Sequence, residues 1–151
     1  MILARVAENR LSEFDQWRFY VKGNWSADFA KAERLCGGIA NEYSVSYLPS
    51  LGKFVVVYNE NGSSRNIVAR FASHPWGPWS GPVVLYQCPE MRTDEDILCY
   101  AAKGHPELSI TPDELIVTYV ANSTDFYKMA ADARLYRPRF IRVRFKGPEN
   151  E

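Results

Sequence analysis

Apolar residues in this chain fall into brief runs separated by clusters of Gly, Pro, Asn and Asp. That punctuation predicts short β-strands joined by tight turns. The clearest runs are YSVSYL (43–48), KFVVVY (53–58), NIVARF (66–71), PVVLY (82–86), ELIVTYV (114–120) and RFIRVRF (139–145). PSLG, NENGSSR and ITPD have the composition of hairpin turns. Helical periodicity is confined to SADFAKAERL, residues 26–35.

The strands repeat. ILARVA (2–7) matches IVARFA (67–72) almost letter for letter, and FIRVRF (140–145) has a similar shape. SYLPSLGKFVVVY (46–58) overlays ELSITPDELIVTY (107–119) without a gap, and WRFYV (17–21) parallels PVVLY as an outer strand. The spacing is 65 residues from Arg5 to Arg70 and 72 from Arg70 to Arg142. About four strands in a repeat longer than ~40 residues describe a propeller blade. The expected fold is therefore all-β, with antiparallel four-stranded blades, in one propeller-type domain or fragment over 1–151. Residues 1–35 make the outer half of one blade, 41–87 a full blade and 103–145 the last. A ring needs at least ~4 blades. Hence the expectation of a missing N-terminal portion, of several chains completing the ring, or of a different packing. Met1 falls on a third strand, which favours truncation, and uncovered blade faces predict self-association.

RFASHPWGPWSGPVVLY (70–86) then becomes the turn into a fourth strand. Its prolines stop ladder pairing at the rim, and Gly77 and Gly81 permit the bend. Trp76 and Trp79 either cap the core between blades or form a sugar-stacking platform.

Composition narrows the class. Apolar residues are 46% and aromatics 14%, a share that suits strands better than a helical bundle. Lys+Arg and Asp+Glu are both 18, so no nucleic-acid partner is expected. RLYRPRFIRVRFK reads as a strand with solvent-facing arginines. No apolar run approaches the ~18 residues of a membrane span, and no signal peptide is visible. Three cysteines, an odd count, argue for a reducing compartment. Cys88 and Cys99, however, flank a polar loop and are placed to be bridged across its neck. Asn24, Asn61 and Asn122 begin Asn-x-Ser/Thr triplets, which matter only in a secreted eukaryotic chain.

Taken together, ARVAENRLSEFDQWRFYVKGNWS, EYSVSYLPSLGKFVVVY, ARFASHPWGPWSGP, LYQCPE, KGHPELS and YRPRFIRV resemble the C-terminal blades of a five-bladed propeller family. That family was formerly of unknown function. It is related to arabinanase and sialidase-like propellers and includes endo-D-arabinanases. The resemblance implies a partial five-bladed propeller and a glycoside hydrolase-like protein acting on polysaccharide, furanosides such as arabinan. It implies carbohydrate as partner and an extracytoplasmic location. The early blades that carry a catalytic Asp in such enzymes are not in this sequence, so the piece alone is expected to be inactive. The alternative is a non-catalytic carbohydrate-binding or protein-interaction propeller.

Glycoside cleavage uses two carboxyls flanking the bond, one with a raised pKa. Glu42, just before YSVSY, stands where related propellers place the acid, and it is the candidate acid here. His105 is the candidate pocket residue, since a last-blade His lines the axial channel of related enzymes. His105 is read as opening an innermost strand that includes Glu107, and strand alternation sets Glu107 on the same face as His105. Arg137 and Arg139 flank Pro138 and suit bidentate contact with a substrate carboxylate or sugar hydroxyls, or with carboxylates tying the last blade to the first. Glu107, Arg137, Arg139, Trp76 and Trp79 are the candidate substrate contacts. TDED (93–96) reads as a solvated acidic run, with a calcium loop as the alternative. No metal site is expected from ligand spacing, and no cofactor, although calcium or another axial ion would fit a propeller channel. Phosphate-binding loops, CxxC and Ser-His-Asp order signatures are absent.

Overall fold

The runs YSVSYL, KFVVVY, NIVARF, PVVLY, ELIVTYV and RFIRVRF form strands, and so do Asn24–Ser26 and Ile97–His105, which lie outside those runs. A computed structural model describes residues 1–92 and 94–146. The order is β1 (Ala4–Arg5), β2 (Arg18–Val21), β3 (Asn24–Ser26), β4 (Tyr43–Leu48), β5 (Lys53–Asn59), β6 (Asn66–Ala72), β7 (Val83–Gln87), β8 (Ile97–His105), β9 (Glu114–Ser123), a short α1 (Phe126–Ala131) and β10 (Pro138–Arg144). They form three antiparallel sheets, ordered β1-β2-β3, β4-β5-β6-β7 and β10-β9-β8. The described residues form open sheets and close no ring.

The middle sheet is covered on both faces. Along β5, Val55 and Val57 join a core with Ile97, Cys99, Leu115, Val117 and Tyr119 of the third sheet. The alternate residues Val56 and Tyr58 pack toward Met1, Ile39 and Trp79 on the first-sheet side. Side chains alternate across a strand, so a run apolar at every position is what a strand covered on both faces requires. Each such side chain contributes about 1.5–3 kcal/mol by leaving water. The outer sheets are covered on one side. On β9, residues 115, 117, 119 and 121 are buried while 116, 118, 120 and 122 are half-exposed. Phe140 on β10 is 63% exposed, and Phe14 and Phe29, in 3-10 turns of the segment that carries the first sheet, are 79% and 64% exposed, so apolar surface is open in both outer parts.

The letter match between ILARVA and IVARFA is also a match of pairing. Ala4 pairs with Phe19 and Ala69 with Val83, so both strands are followed by their antiparallel neighbour. Four expectations need correction. WRFYV is the middle strand of its sheet, not the outer one, because Lys22 and Gly23 (φ 45 and 86) make a two-residue turn that folds β3 back. SADFAKAERL holds only the 3-10 turn Phe29–Lys31. Past it, Glu33 and Leu35 donate to the Tyr20 and Met1 carbonyls, and those backbone bonds hold the chain extended. ANSTDF (121–126) reads as a loop by composition, but Asn122 lies in β9 and Asp125 caps α1.

The fourth correction concerns the last sheet. It begins at Ile97 rather than 103, and His105 ends β8 rather than opening a strand. Glu107 is not on an innermost strand but in the 3-10 turn Pro106–Leu108. The gapless overlay holds for the second strands, which begin at Lys53 and Glu114. It fails for the first strands because the β8–β9 connection is longer than the β4–β5 turn. In pairing terms Ser46, opposite Val55, corresponds to His105, opposite Ile116.

The two sheets lock together at specific points. A bulge in β8 puts Ala101 at φ 58 and turns the Ala102 N–H to the buried Asn59 Oδ1, 2.9 Å away in the middle sheet. Gly104 donates to Ser44 Oγ at 2.7 Å. A Cβ on Gly104 would stand 3.0 Å from Leu115 Cδ2, so glycine is what allows this approach. Ser50 Oγ donates to the Pro112 carbonyl. These contacts align β4 with β8 and divide the connections between two ends. One end carries 38–42, 60–65, 88–96 and 124–137. The opposite end carries 49–52, 73–82 and 106–113.

Candidate functional site

The first of these ends is rich in charge. Asp125 accepts from the Tyr127 N–H at 2.8 Å and starts α1. The helix then presents Lys128 to the β7–β8 connection, where Nζ meets Asp94 Oδ2 at 2.8 Å and Asp96 Oδ2 at 2.6 Å. After the helix, Asp132 takes Arg134 in a fork, with Nη2 at 2.8 Å and Nε at 2.9 Å. Arg139 Nε stands 2.6 Å from Glu90 Oε1. Its two other nitrogens donate to the carbonyls of Arg134 and Arg137. The Tyr119 hydroxyl donates to Glu90 at 3.2 Å.

Together these groups bound a cleft of about 910 Å³, lined by Glu90, Asp94, Lys128, Asp132, Arg134, Arg137 and Arg139 with Ile97 and Leu135 at its apolar base. Its carboxylates are neutralised in place. The Lys128 ammonium, then the Asp96 N–H, hold Asp94 below the usual carboxylate range. The Arg134 guanidinium lowers Asp132 to about 2. Burial, with the Glu90 charge, pushes the Tyr119 hydroxyl up. Arg137 differs from its neighbours. It is exposed, and its side chain makes no hydrogen bond or ion pair among the described residues. Its charge adds to the lowering of Asp132.

The predicted site residues divide between the two ends. Arg137 and Arg139 line the cleft, Arg139 as a tie to Glu90 and Arg137 as an open cation. Glu42 is exposed at the same end, ahead of β4, beside a smaller depression of about 590 Å³ that includes Tyr43. His105 and Glu107 lie at the other end. There His105 Nδ1 meets Glu107 Oε1 at 2.9 Å and its Nε2 meets Thr118 Oγ1 at 2.9 Å. Backbone amide donation in the turn, then the His105 bond, lowers Glu107. Trp76 and Trp79 are at that end too. Trp76, 40% exposed, has ring faces stacked with Tyr20 and His74. Trp79 is not an open platform: it packs toward Val56 and Tyr58, with its indole N–H buried and unpartnered among the described residues.

Sequence reasoning missed Glu90, Lys128, Asp132 and Arg134. The available signal was Ser123-Thr124-Asp125 ahead of FYKMAA, a helix start whose first turn carries a lysine. Within TDED, Asp94 and Asp96 grip an ammonium rather than standing solvated; Thr93 lies outside the described residues.

A family profile described as a domain of unknown function (DUF5005) matches residues 1–146. The chain belongs to the DUF5005 family. No curated protein matches it. Its fold is similar to the crystal structure of a "putative hydrolase" from Bacteroides ovatus ATCC 8483, with a TM-score of 0.68 and 23% identity. That likeness covers 94% of this chain and 38% of the other, so the DUF5005 chain spans well under half the length of that protein. At this identity the likeness carries the fold. Nothing in these comparisons points to the arabinanase and sialidase propellers in particular.

Proposed function

We propose that this chain supplies the last blades of a propeller-type, hydrolase-like protein acting on polysaccharide, and that the charged cleft is where it holds the saccharide. The observation that carries this reading is Arg137. It is an open guanidinium in a cleft whose other cations, Lys128, Arg134 and Arg139, are already paired, placed to fork onto a sugar carboxylate or vicinal hydroxyls. The likeness to a structure described as a hydrolase, and three stacked sheets with strands in chain order, support the architecture.

The cleft carboxylates fit binding rather than proton donation. A general acid needs a raised pKa, whereas Asp94 and Asp132 are lowered by their cations. Glu42, exposed at the same end, is the carboxyl this chain would offer to cleavage completed by other blades. The substrate class, furanosides such as arabinan or an acidic polysaccharide, follows from what Arg137 reads.

Calorimetric titration of the chain with arabinan and oligouronate fragments tests this. Arg137→Ala is expected to weaken binding about tenfold, the scale of one lost charge-assisted contact, with unchanged thermal stability. Equal affinity in wild type and variant would remove Arg137 from the site. Failure of both saccharide classes to bind would remove the reading itself.

A further inference from the structure

Cys88 and Cys99 lie at the two feet of the connection that carries Glu90 and Asp94. Both are wholly buried, inside the core shared by the middle and third sheets. Their Sγ atoms and a Glu90 oxygen all lie within 4.8 Å of one another. Cys88 follows β7 and Cys99 sits in β8, so a bond between them crosses from one sheet to the next. We propose that Cys88 and Cys99 are joined in a disulfide that staples the β7–β8 connection and fixes the cleft wall bearing Glu90 and Asp94. The bond stands independently of what the cleft binds.

Both cysteines stand as free thiols in the structure, and the same three groups are metal-ligand types, yet their surroundings favour the sulfur bridge. Glu90 is held by Arg139 and Tyr119, which leaves two sulfurs, short of the four ligands a closed structural metal site takes. A disulfide needs no approach to the finished core, because it forms while the connection is still open. One cysteine thiolate attacks the sulfur of a disulfide donor such as oxidised glutathione and expels a thiolate. The second cysteine thiolate attacks the resulting mixed disulfide and expels the other. The donor gains the electron pair and takes the two protons, leaving as two thiols.

Folding the full chain in a glutathione redox buffer, then alkylating, digesting and weighing the peptides, tests the bridge, with the half-buried Cys36 as internal control. The expected result is a Cys88–Cys99 cross-linked peptide lighter by two hydrogens, alkylated Cys36, and a Tm that falls by about 5–10 °C on reduction. A Cys36→Ser variant is expected to keep the cross-link. Alkylation of all three cysteines after unfolding would overturn the proposal. So would zinc retained in native mass spectra by a chain folded with zinc present, with both thiols intact.

Discussion

At the cleft end, charges reach across long stretches of chain: Lys128 to Asp94 and Asp96, and Arg139 to Glu90. At the opposite end the partners are near in sequence or share a hairpin. Glu107 meets His105 two residues away, and Arg142 and Arg144 meet Glu114 across the β9–β10 ladder, at 3.1 and 3.7 Å. The difference follows from the connections. At the second end 49–52 and 73–82 hold no Lys, Arg, Asp or Glu, and 106–113 holds only Glu107 and Asp113, so there is little charge to pair between connections. The charged 88–96 and 124–137 connections at the first end fold over one another and line a cleft. A site assembled from several connections can bind, whereas local pairs mainly finish a hairpin.

Breaking the buried polar tie at the cleft end has the largest expected effect on stability. Asn59 is fully buried, accepts from the Ala102 N–H and donates to the Ser64 carbonyl at 3.0 Å. Asn59→Leu strands both groups and is expected to cost about 2–4 kcal/mol in urea unfolding. His105→Ala, the corresponding cut at the other end, removes two partly exposed hydrogen bonds and is expected to cost about 1 kcal/mol or less. If His105→Ala proved the more damaging, the local end would be the structural keystone and the comparison would invert.

The smallest effect is electrostatic. The folded-state pKa of Asp132 is lowered to about 2, below the ~3.9 of an unfolded aspartate. Its contribution is therefore complete above the unfolded value and is lost as pH falls toward 2. Asp132 is exposed to solvent screening, so Asp132→Asn is expected to flatten only slightly the acid limb of a Tm-against-pH curve below pH ~4. A variant that steepened that limb would contradict the Arg134 pairing.

The same contrast explains what was legible in the sequence. Strand positions followed from local alternation, which is why β4, β5, β6 and β9 begin where the apolar runs do. The pairing of His105 with Glu107 was also local, and their neighbourhood was visible even though Pro106 turns the chain out of the strand. The Lys128 contacts span more than 30 residues, and no spacing rule reaches that far. The β8 bulge was hidden for a related reason. Ala101 has no preference for φ 58, and its conformation is set by the buried Asn59 that the next amide reaches.

The most direct measurement is an NMR titration of the labelled chain with the saccharide fragment that binds, read at both ends. The account predicts amide shifts concentrated at Glu90, Asp94, Arg134, Arg137 and Arg139, and none at Tyr20, His74 and Trp76. Shifts centred on the Trp76 stack, with the cleft silent, would contradict it.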